Sequence, residues 1–193
     1  MRVLLLTDSH GRGMAEGMRA IDSTLEIRSV MCGSQSHVVW DRYQQRLEEV
    51  KMFRPEGAIV HLGHNDLTYH PVHNVHPRYS FEVLPEIIGY LSRMERDFPT
   101  CKIIYSTVFP RSEGPYLDAE TIKSYNIYTV YNYGKMVQDK FSVMGRRYTL
   151  NTGLWFSPRE GRHHPVFFAS GGLHLSLIGR DVVAEGWVKA LKK

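Results

Sequence analysis

The 193-residue chain holds only two cysteines, Cys32 and Cys101, and no CxxC pair. A zinc–thiolate centre therefore has no ligand set, and both residues are expected as buried free thiols. No apolar run approaches the roughly 18–20 residues of a membrane span. The run Val3–Leu6 is also shorter than the roughly 7–15 residues of a signal-peptide core. The chain is thus expected to be soluble and intracellular, at most peripheral to membranes. Neither a GxGxxG fingerprint nor a P-loop occurs, which leaves nucleotide-dependent chemistry without a motif. The GxSxG elbow of ordinary α/β-hydrolases is absent too. No Pro/Gly/Ser-rich linker, repeat or low-complexity tract divides the chain, so residues 1–193 read as one domain.

What is present is ordinary for a globular protein: 42% hydrophobic and 23% charged residues, enough apolar side chains for a core. The net charge of +4 is uneven. Residues 140–193 carry nine Lys/Arg against three Asp/Glu, while residues 1–139 carry fifteen against seventeen. A basic C-terminal third suits phosphates of RNA or of anionic lipid headgroups. It suits a solvated face equally, and that plain reading has the greater weight.

Apolar runs alternate with amphipathic stretches. Strands are expected at Arg2–Thr7, Leu25–Met31, Ala58–Leu62, Lys102–Val108 and Arg147–Asn151. Helices are expected over 13–21, Ser36–Phe53, Phe81–Phe98 (capped by Ser80), Ala119–Phe141 and Ser176–Leu191 (capped by Ser176). This alternation implies α/β architecture: a five-stranded parallel sheet in a three-layer α/β/α sandwich of flavodoxin-like type. Sites in such sheets form where the carboxyl ends of strands meet the following loops.

Four segments fall there. Asp8-Ser9-His10-Gly11 follows the first strand, Cys32-Gly33-Ser34 the second and Gly63-His64-Asn65-Asp66 the third; Gly172-Leu173-His174-Leu175-Ser176 precedes the last helix. A serine hydroxyl becomes a good nucleophile when a base takes its proton, and an imidazole titrating near neutrality can do so. Ser9 is therefore the candidate nucleophile and His174 the candidate base. Ester attack creates an oxyanion that needs preorganised donors. The backbone N–H groups of Ser9 and Gly33 and the side-chain amide of Asn65 are three such donors. Asp8 and Asp66 support the loops that carry them.

In this order, Ser9, Gly33, Asn65 and His174 resemble the four blocks of the SGNH (GDSL-like) hydrolases. Gly63-His64-Asn65-Asp66 is similar to that family's Gly-x-Asn-Asp. The resemblance runs from the first strand to the last helix and implies the SGNH fold and a serine esterase needing no metal or organic cofactor. Its substrate would be a small acyl ester of acetyl type, or a lipid ester. Leu-Leu-x-Asp-Ser-His-Gly at the start and Leu-His-Leu-Ser near the end also resemble esterase domains in first-open-reading-frame proteins of some non-LTR retrotransposons. The chain departs from the SGNH pattern twice. Thr7 stands where the family usually has glycine, and Gly171 stands where it usually has an aspartate, three residues before the histidine. A Ser9–His174 dyad is the expectation, with the imidazole oriented by a backbone carbonyl of residues 170–172 or by a carboxylate from elsewhere. The missing acid keeps open a second reading, a degenerate module that docks on anionic phospholipid or RNA.

Other patterns have plainer readings. His61-x-x-His64, His70-x-x-His73-x-x-His76 and the pair His163-His164 suggest metal ligands. However, Pro71 and Pro77 break any helical face, and no HExxH glutamate is present. Tyr125, Tyr128, Tyr131 and Tyr133 are expected to pack on the sheet rather than bind acyl chains or stack on bases. Trp155, Phe156, Phe167 and Phe168 are divided between core and acyl pocket.

Overall fold

The computed structural model describes residues 1–68, 77–113 and 118–193. Five strands form its central sheet: β1 (Arg2–Thr7), β2 (Glu26–Met31), β3 (Gly57–His61), β4 (Lys102–Ser106) and β5 (Arg147–Thr149). Their order is β2-β1-β3-β4-β5, and every neighbouring pair is parallel. This is the flavodoxin-like order, with its reversal point between β1 and β3.

The residues of β1 and β3 explain their central place. Val3 to Leu6 and Ala58 to Val60 are apolar and fully buried, as strands covered on both faces require. Alternate side chains then enter opposite layers. Leu4, Leu6, Ala58 and Val60 pack on one face with Val39, Tyr43, Val83 and Tyr133. Val3, Leu5 and Ile59 pack on the other with Met14, Met18, Val183 and Trp187.

Helices supply both outer layers. Helix α1 (Met14–Ile21) and the last helix lie on one face. On the opposite face lie α2 (Ser36–Gln45), α3 (Leu47–Phe53) and α4 (Ser80–Asp97). Two expected helices are interrupted. The stretch 36–53 breaks at Arg46 (φ −106°, ψ 13°), and Glu48 and Glu49 then begin α3 at its electropositive end. The stretch 119–141 divides into α5 (Ala119–Ser124), a π-helical turn Tyr125–Tyr131 and α6 (Asn132–Met144). The wider turn carries Asn126 inward, where its amide takes Arg111 N–H (2.7 Å) and gives to Arg111 C=O (2.8 Å). Such local widening is frequent near functional sites.

Tyr79, rather than Ser80, precedes α4, and its N–H bonds the Glu82 carboxylate at 3.2 Å. Ser176 does cap the last helix, α7 (Leu177–Lys192), by accepting Gly179 N–H at 3.1 Å. A short antiparallel hairpin, β6 (Trp155–Ser157) with β7 (Arg162–His163), was not expected, because strands of three and two residues show no alternation.

One buried bond couples the sheet to the loop after β3. Tyr105 Oη, on β4, donates to Leu62 C=O at 2.8 Å and meets Tyr133 Oη at 2.9 Å. Replacing Tyr105 with Phe leaves both partners dry and unpaired. The expected cost is about 1–3 kcal/mol, read as a lower urea midpoint at unchanged slope.

Candidate active site

At the end of β1 the chain enters a single 3-10 turn, Ser9–Gly11, capped by Asp8. Asp8 Oδ1 accepts both the His10 backbone N–H (2.9 Å) and His10 Nδ1–H (3.0 Å). This leaves the half-buried Ser9 at the head of the turn. Thr7 fits where the family resemblance has glycine because residue 11 is glycine: a Cβ on Gly11 would overlap the Thr7 side chain.

The other blocks converge on this turn. Gly33 lies against it, and a Cβ built there would sit 3.7 Å from Ser9 Cβ. Asn65 is half-buried, and its Nδ2 donates to Ser34 C=O at 2.9 Å, joining the third block to the second. Asp66 is fully buried. It accepts Ser36 N–H (3.0 Å) and Ser36 Oγ–H (2.6 Å), and it faces Arg78 at 3.3 Å. The loop bearing Asn65 is thus tied to the start of α2.

His174 arrives on a pinned loop. Ala169 N–H donates to His174 C=O, Ser176 N–H to Phe167 C=O and Ser112 N–H to Gly172 C=O, at 2.9, 2.9 and 3.0 Å. Gly172 needs its glycine, since φ is +66° and a Cβ would overlap the Ser112 carbonyl oxygen. The His174 ring lies 5.0 Å from that of His10, tilted by 42°. Among the described residues no hydrogen bond joins it to Ser9 Oγ or to a carbonyl of residues 170–172. The Gly172 carbonyl, one of the expected orienting groups, is engaged by Ser112 instead.

No family model matches this chain, and no curated protein matches it. Solved structures do. A GDSL-like lipase from Bacteroides thetaiotaomicron superposes with a TM-score of 0.74 at 15% identity, covering 99% of this chain and 87% of that one. A lipase/acylhydrolase from Enterococcus faecalis gives 0.67 at 16%, covering 99% and 95%. An acetyl xylan esterase, AlAXEase, gives 0.68 at 14%, covering 99% and 100%. The chain has the fold of the GDSL-type acylhydrolases. At these identities the likeness is one of fold. The narrower resemblance to retrotransposon esterase domains finds no support in it, nor does a membrane or RNA partner.

Within this GDSL-type fold, histidines missed as a group form a buried stack beneath the site. His10 lies face to face with His64 (3.9 Å between centres, 13° between planes). His64 meets His61 edge-on at 5.3 Å, and His61 stacks on Phe109 at 4.2 Å. His64 Nε2 accepts Phe109 N–H at 2.6 Å, and His61 Nδ1 faces Ser106 C=O at 3.2 Å. Burial holds His61 at about 4, and burial with neighbouring histidines holds His64 well below its ordinary value. His174 is also held at about 4, first by burial, with the Arg12 guanidinium acting in the same direction. For Asp8, burial pushes upward, but its hydrogen bonds with His10 and its contact with that ring outweigh burial and keep the carboxyl below its usual range.

His10 stands in the block already singled out for Ser9, as Asp-x-His, and its spacing to Asp8 was the available signal. Arg111 had none: its buried guanidinium lies 4.9 Å over the Tyr125 ring, and its charge bears on His64 and His174. His70, His73 and His76 lie outside the described residues. Among those described, His37, Asp66 and Glu86 bring possible ligand atoms within 4.8 Å. The Arg78 guanidinium already occupies both carboxylates, at 3.3 and 2.7 Å, and takes the place of a cation. Of the aromatics, Tyr133 and Phe168 are core, while Tyr128 and Phe156 are exposed.

Acid should loosen this site in a defined window. Unfolded imidazoles take up protons below about pH 6.5, whereas native His61 and His174 do so only near 4. Between those values the unfolded state binds more protons, so stability falls as pH falls. The urea midpoint is expected to decline steadily from pH 7 to pH 4.5; a flat profile would show that these imidazoles are not buried neutral. Separately, Gly172→Ala is expected to displace the loop carrying His174. It is expected to shift the ring resonances of His174 in NMR spectra while the global melting transition is retained.

Proposed function

We propose that the chain is a serine esterase of SGNH type that acts on small acyl esters. The supporting observation is the convergence of four distant segments on one turn: Gly33 against Ser9, Asn65 bonded to Ser34, and His174 beside His10. In this reading Ser9 Oγ attacks the acyl carbonyl and His174 takes its proton. The N–H groups of Ser9 and Gly33 and the Asn65 amide hold the oxyanion. His174 returns the proton to the leaving alcohol, and water, activated by the same imidazole, releases the acyl group. The fold shared with acylhydrolases and an acetyl xylan esterase supports the reaction class. An acetyl-type acyl group is the substrate we favour, with longer lipid esters as the competing class.

The basic C-terminal third gives little support to the docking alternative. Arg146, Arg162 and Lys192 are engaged with Glu95, Glu160 and Asp22 at 2.9, 3.3 and 2.8 Å. Each pair has at least one solvent-exposed member, as ion pairs on a solvated face do.

The test is turnover of 4-nitrophenyl esters of increasing chain length, with fluorophosphonate labelling mapped by mass spectrometry. Turnover of the acetyl ester, one label at Ser9, and loss of both in Ser9→Ala are expected. Asn65→Ala should lower kcat by on the order of 10²–10³. A purified, folded chain without turnover or label would refute the reading. Because His174 is held near 4, it remains a free base through mildly acidic pH. The acid limb of kcat/KM should therefore lie near pH 4 to 5, rather than near the ordinary imidazole value.

A further inference from the structure

We propose that the buried Asp8–His10 pair replaces the acid missing at Gly171, with His10 Nε2 accepting the N–H that His174 turns away from Ser9. This rests on the esterase reading above and names the positioning residues of that site.

The first support is the state of His10. Asp8 Oδ1 receives its backbone N–H at 2.9 Å and its Nδ1–H at 3.0 Å. With the Asp8 carboxylate as acceptor, Nδ1 carries a proton, and in the proposed state the ring is neutral, with a lone pair on Nε2. That Nε2 is buried and has no partner among the described residues. A buried acceptor left unpaired is destabilising, unless a group that moves in catalysis completes it.

The second support is geometry. The His174 ring centre lies 5.0 Å from that of His10, tilted by 42°, a separation that an N–H···N bond between two imidazoles spans. His174 is half-buried, and in the proposed state its ring turns to donate to His10 Nε2. Catalytic hydrogen bonds are commonly loose before substrate binds. His10 itself cannot swing away: it is clamped between Asp8 and the face of His64, 3.9 Å from its own.

The third support is the lack of competitors. Among the described residues, the groups bearing on His174 are His10, Arg12, Asp8 and Arg111. The two arginines are cations and accept no hydrogen bond, and Asp8 is already bonded to His10. Gly171 is exposed, and among the described residues nothing lies within 4 Å of a Cβ built on it.

The chemistry balances without moving a second proton. When Ser9 Oγ bonds the acyl carbon, its proton passes to His174, which becomes imidazolium. The second N–H of that imidazolium donates to His10 Nε2, while His10 keeps its Nδ1 proton on Asp8. When the alcohol leaves, it takes the proton from His174. The Asp8 charge thus stabilises the imidazolium through a neutral, polarised ring, where an aspartate at 171 would have done so directly.

The arrangement is tested with four variants, 4-nitrophenyl acetate as the probe and ¹⁵N spectra of the ring nitrogens. His10→Phe keeps the ring stacked on His64 but removes the acceptor. Asp8→Asn presents an N–H to His10 Nδ1, which places the His10 proton on Nε2. Each is expected to lower kcat by on the order of 10²-fold with little change in KM. Adding Gly171→Asp to either variant should restore kcat to within about tenfold of the parent. In the parent at pH 7, His10 should be neutral and protonated at Nδ1. Retained kcat in both single variants, failure of Gly171→Asp to rescue either, or a doubly protonated His10 would each overturn the relay while leaving a Ser9-dependent esterase intact. A parent with no turnover refutes the esterase reading first, and the relay with it.

Discussion

The site depends on the double pairing of β1. This strand is bonded in parallel register to β2 on one side and to β3 on the other, from Val3 to Thr7. Parallel strands end at the same edge, so the segments after β1, β2 and β3 must emerge together there. Ser9, Gly33 and Asn65 are separated by tens of residues in the chain yet meet because of that register. The strand order reverses between β1 and β3, which opens a crevice at the point where the serine turn sits.

Beneath that edge lies a layer that is neither ordinary core nor solvent. Asp8, His10, His61 and His64 are buried, and four of their polar atoms have no partner among the described residues. Stability alone would favour apolar side chains of the same shape, since unpaired buried polar atoms are costly. Four such atoms gathered under one turn is a pattern expected where stability yields to function. The same layer explains why His174 is a weak base: it is partly desolvated and bordered by guanidinium groups, with its nearest carboxylate one ring away.

Loop chemistry completes the frame. Gly172 allows a left-handed turn against the Ser112 carbonyl, and Ser176 caps α7 immediately after His174. The imidazole is therefore delivered by a short segment fixed at both ends. The π turn at Tyr125–Tyr131 performs a similar service on the other side, holding the Arg111 backbone through Asn126.

Much of this was legible in the sequence. The apolar runs Val3 to Leu6 of β1 and Ala58 to Val60 of β3, alternating with amphipathic stretches, specify a parallel α/β sheet because only strands covered on both faces tolerate such runs. Ser9, Gly33, Asn65 and His174 were legible as blocks that a parallel sheet brings to one edge, and the structure gathers those segments around one turn. The interrupted helices were not. The break at Arg46 and the π turn leave the local hydrophobic spacing nearly unchanged, and what selects them is a partner far away in sequence, as Arg111 is for Asn126. The absence of an acid at Gly171 was also plain from the sequence. What stands beside His174 was decided only by tertiary structure: a stack of imidazoles depends on ring planes and distances in space, and a linear order of residues contains neither.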